Sequence, residues 1–416
     1  MSDPVTICIK DYDYALPQEN IAQFPLSARD ASKLLIYSNG VVGQDIFSNI
    51  DKHLPVNSLL VFNNTRVIHA RLFFRKPTGG QIEIFCLEPL TPSAEVQAAF
   101  RQQTGSTWKC LVGNLKRWKT GTLMMEGPQE GLTCRLLADR VRDCGDGCFE
   151  IAFRWDPPEK TFSEILELLG SVPLPPYINR PAMASDNDRY QTIFATCEGS
   201  VAAPTAGLHF TESLLARLHD KGIESEKVTL HVGIGTFRPV MVEHIGDHVM
   251  HHEKIVVSAK TIGTLLASLH RPVIAVGTTS ARTLESLYWL GVHLLCNGFE
   301  PLPVVAQWTP YQQDPAIKIT ARQSLEALLG YLDAHHLEEY SGETQLMIVP
   351  GYRYKLISGL ITNFHMPQST LLLLVAAMIG NDWKTAYEYA FLNGFRFLSY
   401  GDSCLFLNPE EIDSHD

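Results

Sequence analysis

The chain has 416 residues, of which 45% are hydrophobic, 19% charged and 9% aromatic. This is the composition of an ordinary globular protein, and it excludes a wholly disordered chain, a collagen and a small disulfide-rich domain. The 45 acidic residues outnumber the 34 basic ones, which gives a formal net charge of −11 and excludes a uniformly basic surface, although a single basic face remains compatible with it.

The amino terminus and the cysteines indicate a cytoplasmic protein. Residues 1–14 lack the basic start and apolar core of a secretory signal. The most apolar run, 371–380, is far shorter than the roughly 20 residues of a membrane helix. The 9 cysteines are scattered without a paired framework, which favours reduced thiols.

Residues 1–66 contain two predicted strands. One lies at 32–37, and the other is a buried strand at 59–62 that ends in Asn63 and Asn64. Asparagines directly after a strand are typical of a tight turn.

Residues 67–155 differ from both flanks. Short β-rich runs, among them 95–102, are separated by glycine, proline, aspartate and threonine at roughly the eight-to-twelve-residue spacing of a small barrel or sandwich. The stretch 92–106 remains compatible with a loop. We predict an inserted all-β barrel at 67–155.

From residue 156 onward, strands alternate with helices, which is typical of a layered α/β structure. Helices are predicted at 162–170, 211–222, 261–270, 369–380 and 385–394, strands at 227–233 and 345–351, and a strand-turn-helix unit at 271–291. The predicted fold class is a layered α/β main domain, formed by 1–66 and 156–416, with the small all-β barrel domain inserted. The polar stretch 308–343 is expected to be a surface excursion around one helix.

Two small-residue turns are candidate ligand contacts. A run at 200–207 precedes His209 and a capped helix; small residues let a ligand approach the backbone, but a tight loop beneath the helix is the favoured explanation. Gly233, Gly235 and Thr236 follow a predicted strand and could cradle a ribose or a carboxylate. Because the third glycine of a dinucleotide fingerprint is missing, a structural turn is again favoured.

The junction at 275–286 places hydroxyl side chains between a buried strand and a helix. Arg282 and Glu285 follow three residues apart and therefore share a helix face. A ligand site at the carboxyl end of the sheet and simple capping with a surface ion pair are equally supported.

Further polar side chains lie at predicted strand ends and turns. Asn363 and His365 end one strand and Asp402 lies at a turn, and ordinary capping explains them as well as a site does. His248 and His251, spaced i, i+3, invite a metal interpretation. Because the HExxH and paired-cysteine patterns are missing, hydrogen bonding or proton transfer by histidine is favoured, and no metal site is predicted.

Taken together, segments spread over nearly the whole chain resemble the S-adenosylmethionine:tRNA ribosyltransferase-isomerase family of queuosine biosynthesis. The matching segments are 12–37, 59–72, 78–87, 172–180, 189–195, 199–211, 228–240, 248–253, 275–286, 360–380 and 395–405. None is decisive alone, but their shared order makes coincidence implausible.

The resemblance implies a specific reaction. The ribosyl part of S-adenosylmethionine, a co-substrate, is transferred to 7-aminomethyl-7-deazaguanine in the wobble position of tRNA and isomerised, giving epoxyqueuosine-tRNA with release of adenine and methionine. It also implies a larger α/β domain with an inserted β-barrel. We expect a monomeric, cytoplasmic enzyme whose partner is this tRNA, with no metal and no membrane association.

The resemblance selects site positions, and the chemistry suggests their roles. His209 and His231 are expected to transfer protons, with Asp402 as a third catalytic residue, because a sulfonium acidifies the adjacent ribose carbon. Arg282 and Glu285 are expected to bind the carboxylate and the ammonium of methionine. Which residue is the general base stays open.

The remaining expected site residues contact the other parts of the substrates. They are Thr205, Gly233, Gly235, Thr236, Asn363 and His365 for S-adenosylmethionine, and Arg66, Arg189 and Gln191 for the incoming nucleotide.

The predicted barrel carries a local share of basic residues with one tryptophan. These are Arg71, Arg75, Lys76, Lys109, Lys116, Arg117, Trp118 and Lys119. They suit phosphate contacts and base stacking, but a solvated hairpin face is slightly favoured.

Three alternatives remain. A divergent member acting on another RNA or a free nucleobase would not require this tRNA, and the long segments in the barrel and at 308–343 bear on that choice. An RNA-binding protein without catalysis would release no adenine. A Rossmann methyltransferase would release S-adenosylhomocysteine, but the early glycine-rich turn of that class is missing.

Overall fold

Two large β-sheets organise the chain, one of nine strands and one of six. The computed structural model describes residues 4–76, 79–129, 132–145, 147–233, 240–298, 302, 304–312, 314, 316 and 318–408.

After the first ten strands, among which the described residues form one short α-helix, helices and strands are interspersed. The strands are β1 Lys33–Ser38, β2 Val41–Ile46, β3 Leu59–Asn63, β4 Thr65–Val67, β5 Arg71–Arg75, β6 Gln81–Thr91, β7 Gly105–Gly113, β8 Leu123–Gln129, β9 Leu132–Gly145, β10 Cys148–Asp156, β11 Cys197–Ser200, β12 Glu224–Leu230, β13 Glu253–Ser258, β14 Val273–Val276, β15 Glu339–Thr344, β16 Gly359–Asn363 and β17 Ser403–Leu407. The α-helices are α1 Val96–Phe100, α2 Phe162–Leu169, α3 Ala184–Arg189, α4 Glu212–Asp220, α5 Ala259–Ala267, α6 Thr278–Asn297, α7 Thr309–Gln312, α8 Ala321–Ala334, α9 Thr370–Ile379 and α10 Trp383–Leu392.

The nine-stranded sheet has the order β15-β13-β12-β3-β14-β16-β17-β1-β2. Its four neighbouring strands β12, β3, β14 and β16 are parallel. All residues of β3 and β14 are buried, as expected for central parallel strands that are covered on both faces. Because the four strands run in one direction, their carboxyl ends meet at the same edge of the sheet, where open α/β folds bind ligands.

The six-stranded antiparallel sheet has the order β5-β6-β7-β10-β9-β8. Its edge strands β5 and β8 come within 8 Å of each other, so the sheet nearly closes into the predicted barrel. Trp118, suggested by the sequence for base stacking, is instead a core residue: it is 1% exposed, and its Nε1–H donates to the carbonyl of Gly121 (2.8 Å). The domain boundaries at 67 and 155 stay a prediction.

The segment 95–102, predicted to be β-rich, contains helix α1. The carboxylate of Glu95 accepts a hydrogen bond from the N–H of Ala98 (2.6 Å) and caps the helix. Phe100 then reaches the barrel core and stacks on Trp108, with ring centroids 5.3 Å apart. Local capping and tertiary packing therefore override the apolar pattern that suggested a strand.

The strand predicted at 345–351 is wrong, because the edge strand β15 ends at Thr344. The apolar residues after it are hydrogen-bonded to a neighbouring loop: Gln345 N–H donates to Val305 C=O (2.8 Å), and Met347 N–H donates to Gln307 C=O (3.2 Å). They are apolar because they are buried beside a cavity described below.

The stretch 308–343 is more than a surface excursion. Its helix α8 packs against α6 with Leu325, Leu328 and Leu332 buried, and its last residues form β15. The other predicted helices are confirmed, including α4 with Thr211 as N-cap and α9, which begins after the capping residue Ser369. Within the described ranges, no helix has the length and apolarity needed to cross a membrane.

Candidate active site

A cavity of about 380 Å³ lies at the carboxyl edge of the parallel strands, and we call it the main cavity. Its volume is in the range of small-molecule sites. Its polar lining consists of Tyr177, Tyr190, Thr205, Thr278, Thr279, Thr362, Asn363, His365, Ser369 and Ser399.

The turn from β14 to α6 forms one wall of the main cavity. Gly277 has φ +92°, a conformation that favours glycine, and it lets Thr278 and Thr279 open the helix directly after the strand. The buried hydroxyl of Thr279 has no hydrogen-bond partner in the part of the chain that the structure describes. It is therefore available to a ligand.

A hydrogen-bond chain runs from the main cavity into the protein. Thr205 Oγ1 donates to Asn363 Oδ1 (2.8 Å), which orients the amide so that Asn363 Nδ2 donates to His209 Nε2 (3.1 Å). Nδ1 of His209 then carries the proton and donates to Ser32 Oγ (2.9 Å).

His209 therefore acts on the main cavity through Asn363. Burial lowers its pKa to about 4, so the ring is neutral near neutral pH. Both ring nitrogens are engaged by the chain described above, and the ring itself lines a separate, smaller cavity. We assign it a positioning role, whereas the sequence suggested direct proton transfer.

His365 is the imidazole that lines the main cavity itself. Its backbone is held on both sides: its N–H donates to the hydroxyl of Tyr387 (3.1 Å), and its carbonyl accepts from the hydroxyl of Tyr14. Its Nε2 is hydrogen-bonded to Thr362 Oγ1 (3.0 Å). Burial lowers the pKa of His365 to about 3, so this ring is also neutral near neutral pH.

Asp402 is close to this network, but its carboxylate faces away from the ligand space. The carboxylate accepts from the backbone N–H groups of Lys33 (3.1 Å) and Arg396 (2.8 Å). It is the backbone carbonyl of Asp402 that accepts from Asn363 Nδ2 (3.2 Å). These contacts fix a turn, and they give no support to the predicted catalytic role.

A second cavity of about 50 Å³ adjoins the main cavity through Leu371, and we call it the side cavity. It is lined by Gly233, His248, Met250, His251, Glu253, Arg282, Leu346, Met347, Ile348, Thr370, Leu371 and Leu374. Arg282 and Glu253 form a buried ion pair there, and Arg282 Nε donates to Leu346 C=O (3.0 Å). The second terminal nitrogen of Arg282, Nη2, is buried without a hydrogen-bond partner among the described residues.

Glu285 lies outside both cavities. Its carboxylate accepts from Tyr352 Oη (2.6 Å) and from backbone N–H groups, among them those of Lys355 and Leu356 (both 2.9 Å). Burial raises the pKa of Glu285. One interpretation of the sequence was a surface ion pair between Arg282 and Glu285. This interpretation is wrong, because both residues are buried and Arg282 pairs with Glu253 of β13 instead.

Other predicted site residues are spread around the fold. His231 lies against Gly199 near Lys254 and Glu95, at the junction with the barrel, and burial lowers its pKa to about 4. Gln191 is hydrogen-bonded to both backbone groups of Val67.

The two predicted arginines for the nucleotide differ from each other. Arg66 forms surface ion pairs with Glu167 (2.8 Å) and Glu198 (3.4 Å). Arg189 lines the small cavity next to His209. Gly235 and Thr236 lie outside the described residues.

Sequence reasoning missed Tyr177 and Ser399, which no local pattern marks, and it noted Glu253 only as a carboxylate close behind His248 and His251. Glu253 begins a strand that is antiparallel to β12, which brings it to the active edge of the sheet from a separate part of the chain. Among the described residues, no group of three or more His, Cys, Asp or Glu side chains could hold a metal ion.

We expect the free energy of unfolding to fall when the pH is lowered from about 7 to about 5, by about 2 kcal/mol for each of His209 and His365. Both pKa values are depressed in the folded state, so the unfolded chain binds these protons first, and stability present above about pH 6.5 is lost as pH falls. Glu285 contributes in the opposite direction because its pKa is raised. Urea denaturation at the two pH values measures the difference.

The variant His365→Gln should reduce this pH dependence by about 2 kcal/mol, whatever its effect on absolute stability. Exposed His219, replaced in the same way, is the control and should leave the dependence as in the wild type. An unchanged dependence in His365→Gln would contradict the assignment of a neutral buried ring.

Comparisons with known proteins show the family of the chain. Residues 9–406 match the family model described as queuosine biosynthesis protein. The S-adenosylmethionine:tRNA ribosyltransferase-isomerase of Trichlorobacter lovleyi is 38% identical over 95% of this chain and 99% of its own length. That of Halothermothrix orenii is 38% identical over 96% of this chain and 99% of its own.

A crystal structure of S-adenosylmethionine tRNA ribosyltransferase from Thermotoga maritima is 30% identical, with a TM-score of 0.45, and covers 95% of this chain and 100% of that one. The family assignment rests on the sequence matches, which span the parallel strands and turns around the main cavity and confirm the resemblance noted in the sequence. The chain belongs to the queuosine biosynthesis protein family, that of the S-adenosylmethionine:tRNA ribosyltransferase-isomerases.

Proposed function

We propose that this protein transfers the ribosyl part of S-adenosylmethionine to 7-aminomethyl-7-deazaguanine in the wobble position of tRNA and isomerises it, which yields epoxyqueuosine-tRNA and releases adenine and methionine. The observation that carries the proposal, beside family membership, is the junction of two cavities of different chemistry. A cavity of about 380 Å³ whose polar groups are mainly hydroxyls and an amide adjoins a smaller one that contains a buried arginine–glutamate ion pair.

The side cavity suits the methionine end of the substrate. Arg282 offers a carboxylate an N–H that has no partner among the described residues, and apolar residues such as Met250 and Leu374 surround the space for the thioether chain. Glu253, instead of the predicted Glu285, supplies the carboxylate near the ammonium group. The sulfonium would then lie close to Leu371, where the two cavities meet.

The main cavity suits the ribose, the adenine and the incoming base. Hydroxyl groups of Thr205 and Thr279 and the amide of Asn363 can hydrogen-bond sugar and base edges. The positive sulfonium acidifies the neighbouring ribose carbon, and the neutral ring of His365 is positioned to accept a proton in this cavity. His209 keeps Asn363 in one orientation.

The acceptor base has to leave the anticodon stack to reach the main cavity, as in other enzymes that act on a base. The side-chain contacts of Gln191 are used by the backbone of Val67, so its predicted role with the nucleotide finds no support. A tRNA substrate also supports the cytoplasmic location expected from the sequence.

The test is one incubation of the protein with S-adenosylmethionine and tRNA that carries the aminomethyl-deazaguanine. Chromatography for adenine and mass spectrometry of the digested nucleosides are the two measurements. We expect adenine together with an epoxyqueuosine nucleoside. If folded protein yields neither product, the proposal is overturned. If adenine is released only when a different nucleobase is offered, the acceptor in the proposal is wrong and the reaction acts on that base instead.

A further inference from the structure

The small cavity beside His209 is lined by three arginines, Arg29, Arg189 and Arg396, and we call it the arginine cavity. Its volume of about 20 Å³ holds one or two water-sized groups, such as the outer oxygens of one anionic group, and no nucleoside. The side chain of Arg396 is 30% exposed, so the cavity is reached from solvent.

Two of the three guanidinium groups, those of Arg29 and Arg189, have no carboxylate hydrogen-bonded to them in the described part of the chain, although the charge of Asp188 acts on Arg29. Arg29 and Arg189 donate to backbone carbonyls, those of Leu208 (3.2 Å) and Leu26 (2.7 Å) among them. Burial and the neighbouring Arg189 lower the pKa of Arg29. Within the described ranges, Asp402 is the one residue whose carboxylate is hydrogen-bonded to any of the three arginines: it accepts from Arg396 (3.3 Å).

An anion explains this concentration of positive charge better than loop anchoring does. If these side chains served only to anchor loops, neutral donors could bind the backbone carbonyls without repelling one another. Instead, three cationic side chains line one cavity in a chain whose net charge is −11. The buried Nε of Arg189 also has no partner among the described residues. A tetrahedral anion would accept from several of these N–H groups at once.

The position of the arginine cavity indicates which anion. It shares Ser399 with the main cavity, and the His209 ring in its wall is hydrogen-bonded to Asn363 in the main cavity. A phosphate held by the arginines therefore lies beside a base held in the main cavity, as in one nucleotide.

We propose that the arginine cavity binds a phosphodiester of the RNA backbone next to the modified nucleotide. This proposal rests on the proposed function for the identity of the base, and on the three arginines for the phosphate. Phosphate contacts position a nucleic acid without reading its sequence, so the arginine cavity would fix how far the anticodon loop enters.

The experiment measures binding of a fluorescent anticodon stem-loop RNA, with the aminomethyl-deazaguanine at the wobble position, between about 50 and about 200 mM salt. Arg396→Gln and Arg29→Gln should each weaken binding about 5- to 10-fold at low salt and reduce the slope of log affinity against log salt by about 1. Arg322→Gln, which removes an exposed arginine of helix α8, is the matched control and should leave the slope unchanged.

The slope also separates a phosphate contact from damage to the fold, since a misfolded fraction lowers the amount of active protein without changing the slope. Unchanged slopes in both variants would overturn the proposal. If inorganic phosphate, but not chloride at equal ionic strength, raises the melting temperature while the slopes stay unchanged, the occupant is free phosphate and the RNA assignment is overturned.

Adenine release by the wild type is measured in parallel. Reduced slopes without adenine release would support the arginine cavity and reject the proposed function. Adenine release with unchanged slopes would support the proposed function and reject phosphate binding by the arginine cavity.

Discussion

Replacing Arg282 with methionine is expected to raise the KM for S-adenosylmethionine about 30-fold, because a charged hydrogen bond to the methionine carboxylate is worth about 2 kcal/mol. It should also lower the free energy of unfolding by about 3–5 kcal/mol, since Glu253 would be left buried without its cation. The two side chains are 7% and 6% exposed, so the carboxylate that remains is largely desolvated.

A double variant separates these two effects. In Arg282→Met with Glu253→Leu, both charges are removed and the apolar surroundings of the side cavity are extended, so stability should return to within about 1 kcal/mol of the wild type. The KM should stay raised, because the carboxylate of the substrate still has no arginine. Urea denaturation and initial rates of adenine release are the measurements.

The opposite pattern would contradict our assignment. If the double variant regains both stability and the wild-type KM, Arg282 serves only to neutralise Glu253. Arg282→Lys adds a second comparison: it keeps the charge but lacks the planar guanidinium that can serve Glu253, the carbonyl of Leu346 and a substrate carboxylate at once, so it should recover part of the affinity only.

Much of the active edge could be predicted from the sequence because it follows from local signals. Buried apolar strands that end in polar turns identify β14 and β16, and parallel strands necessarily bring such turns together. Asn363 and His365, at the end of a predicted strand, and Arg282, on the helix that follows another, are selected as site residues by the family resemblance, and they do line the two cavities. Thr205 joins them from a segment where the sequence showed only a run of small residues.

The partners across the sheet could not be predicted in this way. Helical periodicity puts Arg282 and Glu285 on one face, but the residue that pairs with Arg282 comes from the start of β13, a strand in another part of the chain. The sequence predicts His231 within a strand at 227–233, but β12 ends at Leu230, and the ring of His231 lies at the junction with the barrel. Side-chain direction after a strand depends on the turn geometry, which the residue types do not reveal.

The histidines show the same limit in chemical terms. His209 and His365 both lie in turns at the active edge, and both have depressed pKa values because they are buried. Only the hydrogen bonds distinguish them: His209 has both ring nitrogens committed to Ser32 and Asn363, whereas His365 borders the ligand space. Their roles can therefore be separated by substitution.

Replacing His365 with alanine is expected to lower kcat about 100-fold or more, the usual contribution of a positioned acid or base, with a much smaller change in KM. His209→Ala should cost about 10-fold, since Asn363 keeps the hydrogen bonds to Thr205 and to the carbonyl of Asp402 when the ring is lost. His231→Ala, outside both cavities, should stay within a few fold of the wild type.

The pH dependence of kcat/KM, which reports groups of the free enzyme, then tests the state of His365 independently of the size of the loss. With a pKa of about 3, the ring in the free wild type is fully deprotonated from about pH 6 upward, so its protonation cannot produce a rise in kcat/KM between pH 6 and 8. A loss of 100-fold or more in His209→Ala with near-normal turnover in His365→Ala would exchange the two assignments. In that case Asn363 would have to swing away on substrate binding to free Nε2 of His209, and the variant Asn363→Ala would retain activity. Our assignment requires the opposite: Asn363→Ala should lose at least as much activity as His209→Ala does.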